Sequence, residues 1–214
     1  SMRSYLVSLA LTFWAQSLLA TPQLILPQSP KVTLLLEFSA KNSEAYALQM
    51  QHWNLVQQAA GSSLQISYEH VSLQRSLGLV HQSGYCAINK MKTPERLATL
   101  LFSEKPINLS PSLRLIRIGK SASTQPIDLE KWLQSSEQLK LGIATGRSYG
   151  AMLDKLLKQH AAQIYQLSGE DVHVKLWQML QKGRLDAIID YSVRIDYLNK
   201  MQPASEPYTV EQIL

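Results

Sequence analysis

The sequence predicts an α/β fold of two lobes, each a mainly parallel sheet flanked by helices. Two observations lead there. A strand–helix–strand–helix–strand order runs through residues 32–89 and restarts in residues 139–191. The runs Val32–Phe38 and Leu185–Tyr191 are almost continuously apolar, as in strands covered on both faces.

The first half opens with an extended lead-in holding Pro22, Pro27 and Pro30. Strand Val32–Phe38 follows, then a helix capped by Asn42 or Ser43 and stopped at Gly61. Leu64–Val71 alternates as a second strand, Leu73–Val80 reads as a helix, and Tyr85–Asn89 as a third strand. Ser112–Ile118 is a further strand, and the polar, small-residue run Gly119–Pro126 reads as a linker. In the second half the predicted strands are Leu139–Ala144, Gln163–Leu167 and Leu185–Tyr191. Helices fall at Ser148–Ala162, Glu170–Gln181 and Arg194–Met201, with a Pro-containing tail beyond. The boundaries are therefore lobe 1 over 21–118, a hinge over 119–126 and lobe 2 over 127–214.

Residues 1–20 have the pattern of a signal peptide. Arg3 precedes an apolar run from Leu6 to Ala20, shorter than the roughly 20 residues of a membrane span. Cleavage after Ala20 would release the chain into the periplasm. The net charge of +5 is spread over scattered Lys and Arg, without the basic block of a nucleic-acid surface. The single cysteine, Cys86, excludes an internal disulfide and a multi-thiolate metal site; its apolar surroundings suggest a buried small side chain. His52, His70, His81, His160 and His173 stand at no metal-ligand spacing and read as surface or helix residues. No nucleophile elbow or phosphate loop occurs, so neither an enzyme nor a cofactor is expected.

Three motifs fall where strands end and the crevice of an open α/β sheet lies. They are Lys92-Thr93-Pro94-Glu95-Arg96 with Phe102-Ser103-Glu104-Lys105-Pro106, then Thr145-Gly146-Arg147-Ser148-Tyr149-Gly150, then Gly183-Arg184-Leu185-Asp186-Ala187. In this order and spacing, over residues 64–191, they resemble the extracellular solute-binding proteins of the polar amino-acid uptake family. That resemblance implies the type II periplasmic binding fold, a ligand held between two lobes, and delivery to an ABC importer or signalling to a membrane receptor. It implies that Arg96 grips a carboxylate with its planar fork of donors and that Thr93 of the same motif also binds the ligand. Ser148 would offer a hydroxyl near a helix start, where backbone N–H groups favour an anion. Arg147 either adds charge to the crevice or points to water; Tyr149, Phe38 and Tyr191 could pack on the ligand.

The sequence also departs from the family. The aspartate that holds the ligand's amine falls one residue early here, as Asp190, with Tyr191 in its place. One residue on a strand reverses the face. The expected ligand is therefore small and anionic or zwitterionic, with amine recognition open. Only Ser192–Leu214 follow the second sheet, so the C-terminal return segment reads as short or missing. Apolar surface uncovered in this way would favour a dimer.

Overall fold

The computed structural model describes residues 28–37, 44–88, 90–106, 112–119, 124–169 and 171–214, with side chains from residue 50 onward in its first helix. Residues 1–20, read above as a signal peptide, and Phe38 lie outside the described residues. The first sheet contains β1 (Lys31–Leu36), β2 (Gln65–His70) and β3 (Tyr85–Ala87), in the order β2-β1-β3 and all parallel. Its helices are α1 (Glu44–Ala60) and α2 (Leu73–Leu79). Parallel neighbours need crossovers, and α1 and α2 supply them. Leu34, Leu36 and the Trp53 ring of α1 form this sheet's core. Cys86 is exposed, contrary to the expectation of burial, on β3, which is an edge strand among the described residues.

After the one-turn helix α3 (Pro94–Leu97), the second sheet begins at β4 (Leu113–Ile118). It continues with α4 (Leu129–Gln134), β5 (Leu141–Ala144), α5 (Ala151–Gln159), β6 (Ile164–Leu167), α6 (Val172–Gln181), β7 (Ala187–Tyr191), α7 (Ser192–Met201) and β8 (Tyr208–Gln212). Strand order is β6-β5-β7-β4-β8, with β4 antiparallel to both of its neighbours. The predicted division at 119–126 thus separates β4 from its own sheet. Leu115 and Ile116 are fully buried on opposite faces, and β7 supplies their partners, Leu115 opposite Ile189 and Ile116 opposite Ile188. One face packs on α6 and α7 through Trp177, Leu176 and Ile195, the other on α4 and α5 through Leu133 and Leu157.

Two elements went unread in the sequence. Helix α4 is set by the Asp128 carboxylate, which accepts from Lys131 N at 3.1 Å, and by Leu129 and Leu133 one turn apart and buried. The supposed tail is an edge strand. Its inward Thr209 and Glu211 hid the apolar alternation, and Glu211 is buried because Arg117 grips both its oxygens at 2.6 Å. Ser192–Leu214 therefore complete the five-stranded sheet with α7 and β8. Among the described residues no helix is long and apolar enough to cross a membrane.

Candidate functional site

Arg96 sits in α3, capped by Thr93, whose Oγ1 accepts from Arg96 N at 3.2 Å. Thr93 thus serves the helix start. The segment is fastened by Lys92, which donates to the Ser103 carbonyl at 3.1 Å and lies 5.8 Å from the Phe102 ring centre. That contact accounts for the Phe-Ser part of the motif. The Arg96 guanidinium bridges two places. Nη1 donates to the Met91 carbonyl at 3.0 Å, and Nη2 reaches the Gly146 carbonyl, 3.2 Å away in the β5–α5 loop. Both acceptors are neutral carbonyls, which a carboxylate outcompetes as a partner for guanidinium.

Gly146 makes this approach possible. Its φ is +80°, and a Cβ there would lie 2.9 Å from Leu77 Cδ1 of α2. The loop then passes Ser148, whose hydroxyl donates to Asp154 Oδ2 at 2.6 Å and lies 3.6 Å from Met91 Sδ. Tyr149 N donates to Asp154 Oδ1 at 2.7 Å. The helix starts at Ala151, three residues later than predicted, because this carboxylate and Gly150 at φ +93° shape the turn before it. An acidic side chain therefore already occupies the entry to α5. Tyr149 is buried and its hydroxyl accepts from Ala144 N at 3.0 Å. Burial pushes its phenol up to about 12. Tyr149 braces the loop and presents a ring face to Arg147, whose guanidinium carbon lies 5.2 Å from the ring centre.

Asp190 lies on the face of β7 that carries Ile188, and Tyr191 on the face of Ile189. The carboxylate is 2% exposed and fully engaged within the protein. Oδ1 accepts from Tyr191 N at 2.7 Å and lies 3.5 Å from Arg147 Nη1 and 3.7 Å from Arg194 Nε; Oδ2 is 3.1 Å from His173 Nδ1. Burial by itself would raise the Asp190 carboxyl, but Arg194 first, then His173 and Arg147, hold it well below the usual carboxylate range. Arg147 also lies 4.7 Å from the Tyr191 ring centre, with Arg194 5.9 Å from the same ring. Tyr191 is thus flanked by two guanidiniums. Lys90, nearby, pairs with Glu37, and burial lowers its ammonium more than Glu37 raises it.

Arg194 and His173 were missed in the sequence, and His173 is no surface residue. Arg194 is four residues past Asp190, in the first turn of α7, where the helix dipole disfavours a cation. A basic residue in that position after a strand-end aspartate was the available signal. His173 stands beside Val172, one turn before Leu176 and Trp177, on the side of α6 that packs on the sheet.

Burial, and next Arg194, lower the His173 imidazole from its ordinary 6.5 despite Asp190. The ring is therefore neutral at pH 7 and donates from Nδ1. An unfolded chain takes up a proton below about pH 6.5 that the folded chain refuses, so stability falls as pH drops through that point. Asp190 adds a second loss only below its ordinary 3.8, toward its depressed folded value. The melting temperature is expected to fall between about pH 7 and pH 5, and His173→Gln to flatten that segment. A melting temperature of the unsubstituted protein that is level across it would contradict a neutral, buried His173.

Among the described residues no group of three or more His, Cys, Asp or Glu is placed to hold a metal. A recess of about 400 Å³ is lined by Ser112, Leu113, Arg114, Leu153, Gln212, Ile213 and Leu214, and its Leu113 and Arg114 lie opposite Tyr191 and Asp190 in the β4–β7 pairing; the guanidiniums of Arg96 and Arg147 make their region the candidate site.

Solved structures match this architecture. A putative L-cystine ABC transporter protein from Listeria monocytogenes aligns with a TM-score of 0.62 and 15% identity over 86% of this chain and 77% of its own. The chain has the type II periplasmic binding fold. An ancestral arginine-binding protein bound to arginine shares that fold at a TM-score of 0.58 and 15% identity, over 85% of this chain and 78% of its own. So does the AvGluR1 ligand-binding domain in complex with glutamate, at 0.56 and 14%, over 85% and 76%. No protein-family model matches the sequence, and no curated protein matches it. In a periplasmic binding fold the ends of the strands in both sheets face the ligand crevice. Gly146 and Arg147 follow the end of β5, Tyr191 ends β7, and Arg96 of α3 reaches the Gly146 carbonyl.

Proposed function

We propose that this chain is a periplasmic solute-binding protein that holds a small anionic or zwitterionic, amino-acid-like molecule between its two sheets and delivers it to an ABC importer. The observation that carries this reading is the Arg96 guanidinium reaching across to the Gly146 carbonyl of the β5–α5 loop. A solute carboxylate inserted between them would take both Arg96 donors in place of the two carbonyls. The closing units are the sheet of β1–β3 and the sheet of β4–β8. Binding is a population shift: solute contacts with both units favour the closed form. The names of the similar structures, amino-acid-binding components of ABC transporters among them, support this use of the fold.

The glutamate-bound receptor domain supports a second reading, a sensing module that reports to a membrane receptor through the same clamp. Importer genes beside this one favour transport; a kinase or cyclase gene favours sensing. The solute-binding reading is tested by a thermal-shift screen with amino acids, small carboxylates, polyamines and sugars. A solute at about 100 times its Kd stabilises the folded state by about 2.7 kcal/mol, and a rise of several degrees is expected from one acidic or zwitterionic class. A flat response across all four classes would overturn it.

A further inference from the structure

We infer that the solute carries two anionic groups, in the manner of a small dicarboxylate, with one bound at Arg96 and the other at Arg147 and Arg194, and that no amine is recognised. This rests on the solute-binding reading above and names its substrate class.

The argument begins with Asp190. The strongest partner for the ammonium group of a free amino acid is a carboxylate open to it. Asp190 is closed to it, with its oxygens turned to Tyr191 N, His173, Arg147 and Arg194 and only 2% of the residue exposed. The cations around it are in excess. Two guanidiniums face one carboxylate, and His173 is neutral. Their donors are also in excess. Arg194 Nη1 is buried without a hydrogen-bond partner, and Arg147 Nη1 has only its 3.5 Å ion-pair contact with Asp190 Oδ1. A buried donor left unpaired costs about 1–3 kcal/mol, more when it is charged, and such a donor beside a surplus cation is an unusual burden for a purely structural network. Both guanidinium carbons also lie against the Tyr191 ring, 4.7 Å and 5.9 Å from its centre, which brings the two cations together at the end of β7. A second carboxylate satisfies those donors and neutralises the surplus charge in one step. Lys90 does not compete for it, being paired with Glu37. Arg147 is the residue that joins the two subsites, one position after the Gly146 carbonyl that Arg96 contacts.

The test is calorimetry on the full protein with matched probes: glutamate against glutarate, alanine against propionate, succinate, and inorganic phosphate. The expected result is that glutarate or succinate binds, that removing the amine from glutamate changes Kd by less than about threefold, and that alanine and propionate bind at least about 100-fold more weakly. Arg194→Gln and Arg147→Gln, each first shown to be folded by its melt, are expected to reduce the dicarboxylate-over-propionate preference to within about tenfold. The probe series on the unsubstituted protein decides the matter if either variant fails to fold. Tight alanine binding, or a strong loss from glutamate to glutarate, would overturn the two-anion inference and leave the solute-binding reading standing. Phosphate binding best would overturn the carboxylate class. No binding by any probe or by any solute of the wider screen would overturn both.

Discussion

Arg96→Ala is expected to weaken solute binding by about 2–5 kcal/mol, roughly 30- to 5,000-fold in Kd. Arg96 has the only guanidinium described that donates to both its own segment, at Met91, and the facing loop, at Gly146. A bidentate grip on a carboxylate needs that planar fork, so Arg96→Lys should recover the charge but only part of the affinity. The fold should survive both changes, because the side chain is not part of any buried cluster and α3 keeps its Thr93 cap. A solute Kd unchanged in Arg96→Ala would remove this residue from the site.

Asp190→Ala is expected to destabilise the protein by about 3–5 kcal/mol, the cost of removing one partner from a buried ionic network. The carboxylate is the counter-ion of Arg147 and Arg194 and the acceptor of His173 and Tyr191 N. Without it two guanidiniums are left beside the Tyr191 ring and stripped of the oxygen they share. At about 2–4 °C per kcal/mol for a chain of this size, the melting temperature should fall by about 6–20 °C. Removing Arg194 as well should restore part of the loss, since the pair is coupled and the double change deletes a charge of each sign. A fall of under a degree in the single variant would show that Asp190 does not hold the cluster together.

The fold was legible because its signal is periodic. Val32–Leu36 and Ala187–Ile189 are apolar on both faces, and helices between them carry their apolar residues at helical spacing. Strand β4 was read as a strand but given to the wrong sheet, since its pairing with β7 and β8 is a long-range choice that local pattern does not encode. Strand β8 was hidden because a buried Glu211 reads as a solvated residue until Arg117, 94 positions away, is seen to pair with it. The same limit governs the site. Arg96, Arg147 and Ser148 stood in recognisable motifs. The one-residue displacement of Asp190 was visible, and so was the reversal of its face. What the displacement does was not visible, because it depends on His173 and Arg194 arriving from two different helices.

The central claim is that the two sheets are a clamp that shuts on its solute. It is tested most directly by a pulsed-dipolar distance between spin labels on the exposed Cys86 of the first sheet and on Gln134→Cys of the second. With saturating solute the distance distribution is expected to narrow and move to shorter values, and Arg96→Ala should block the shift. A solute that binds tightly while leaving that distribution unchanged would contradict the clamp.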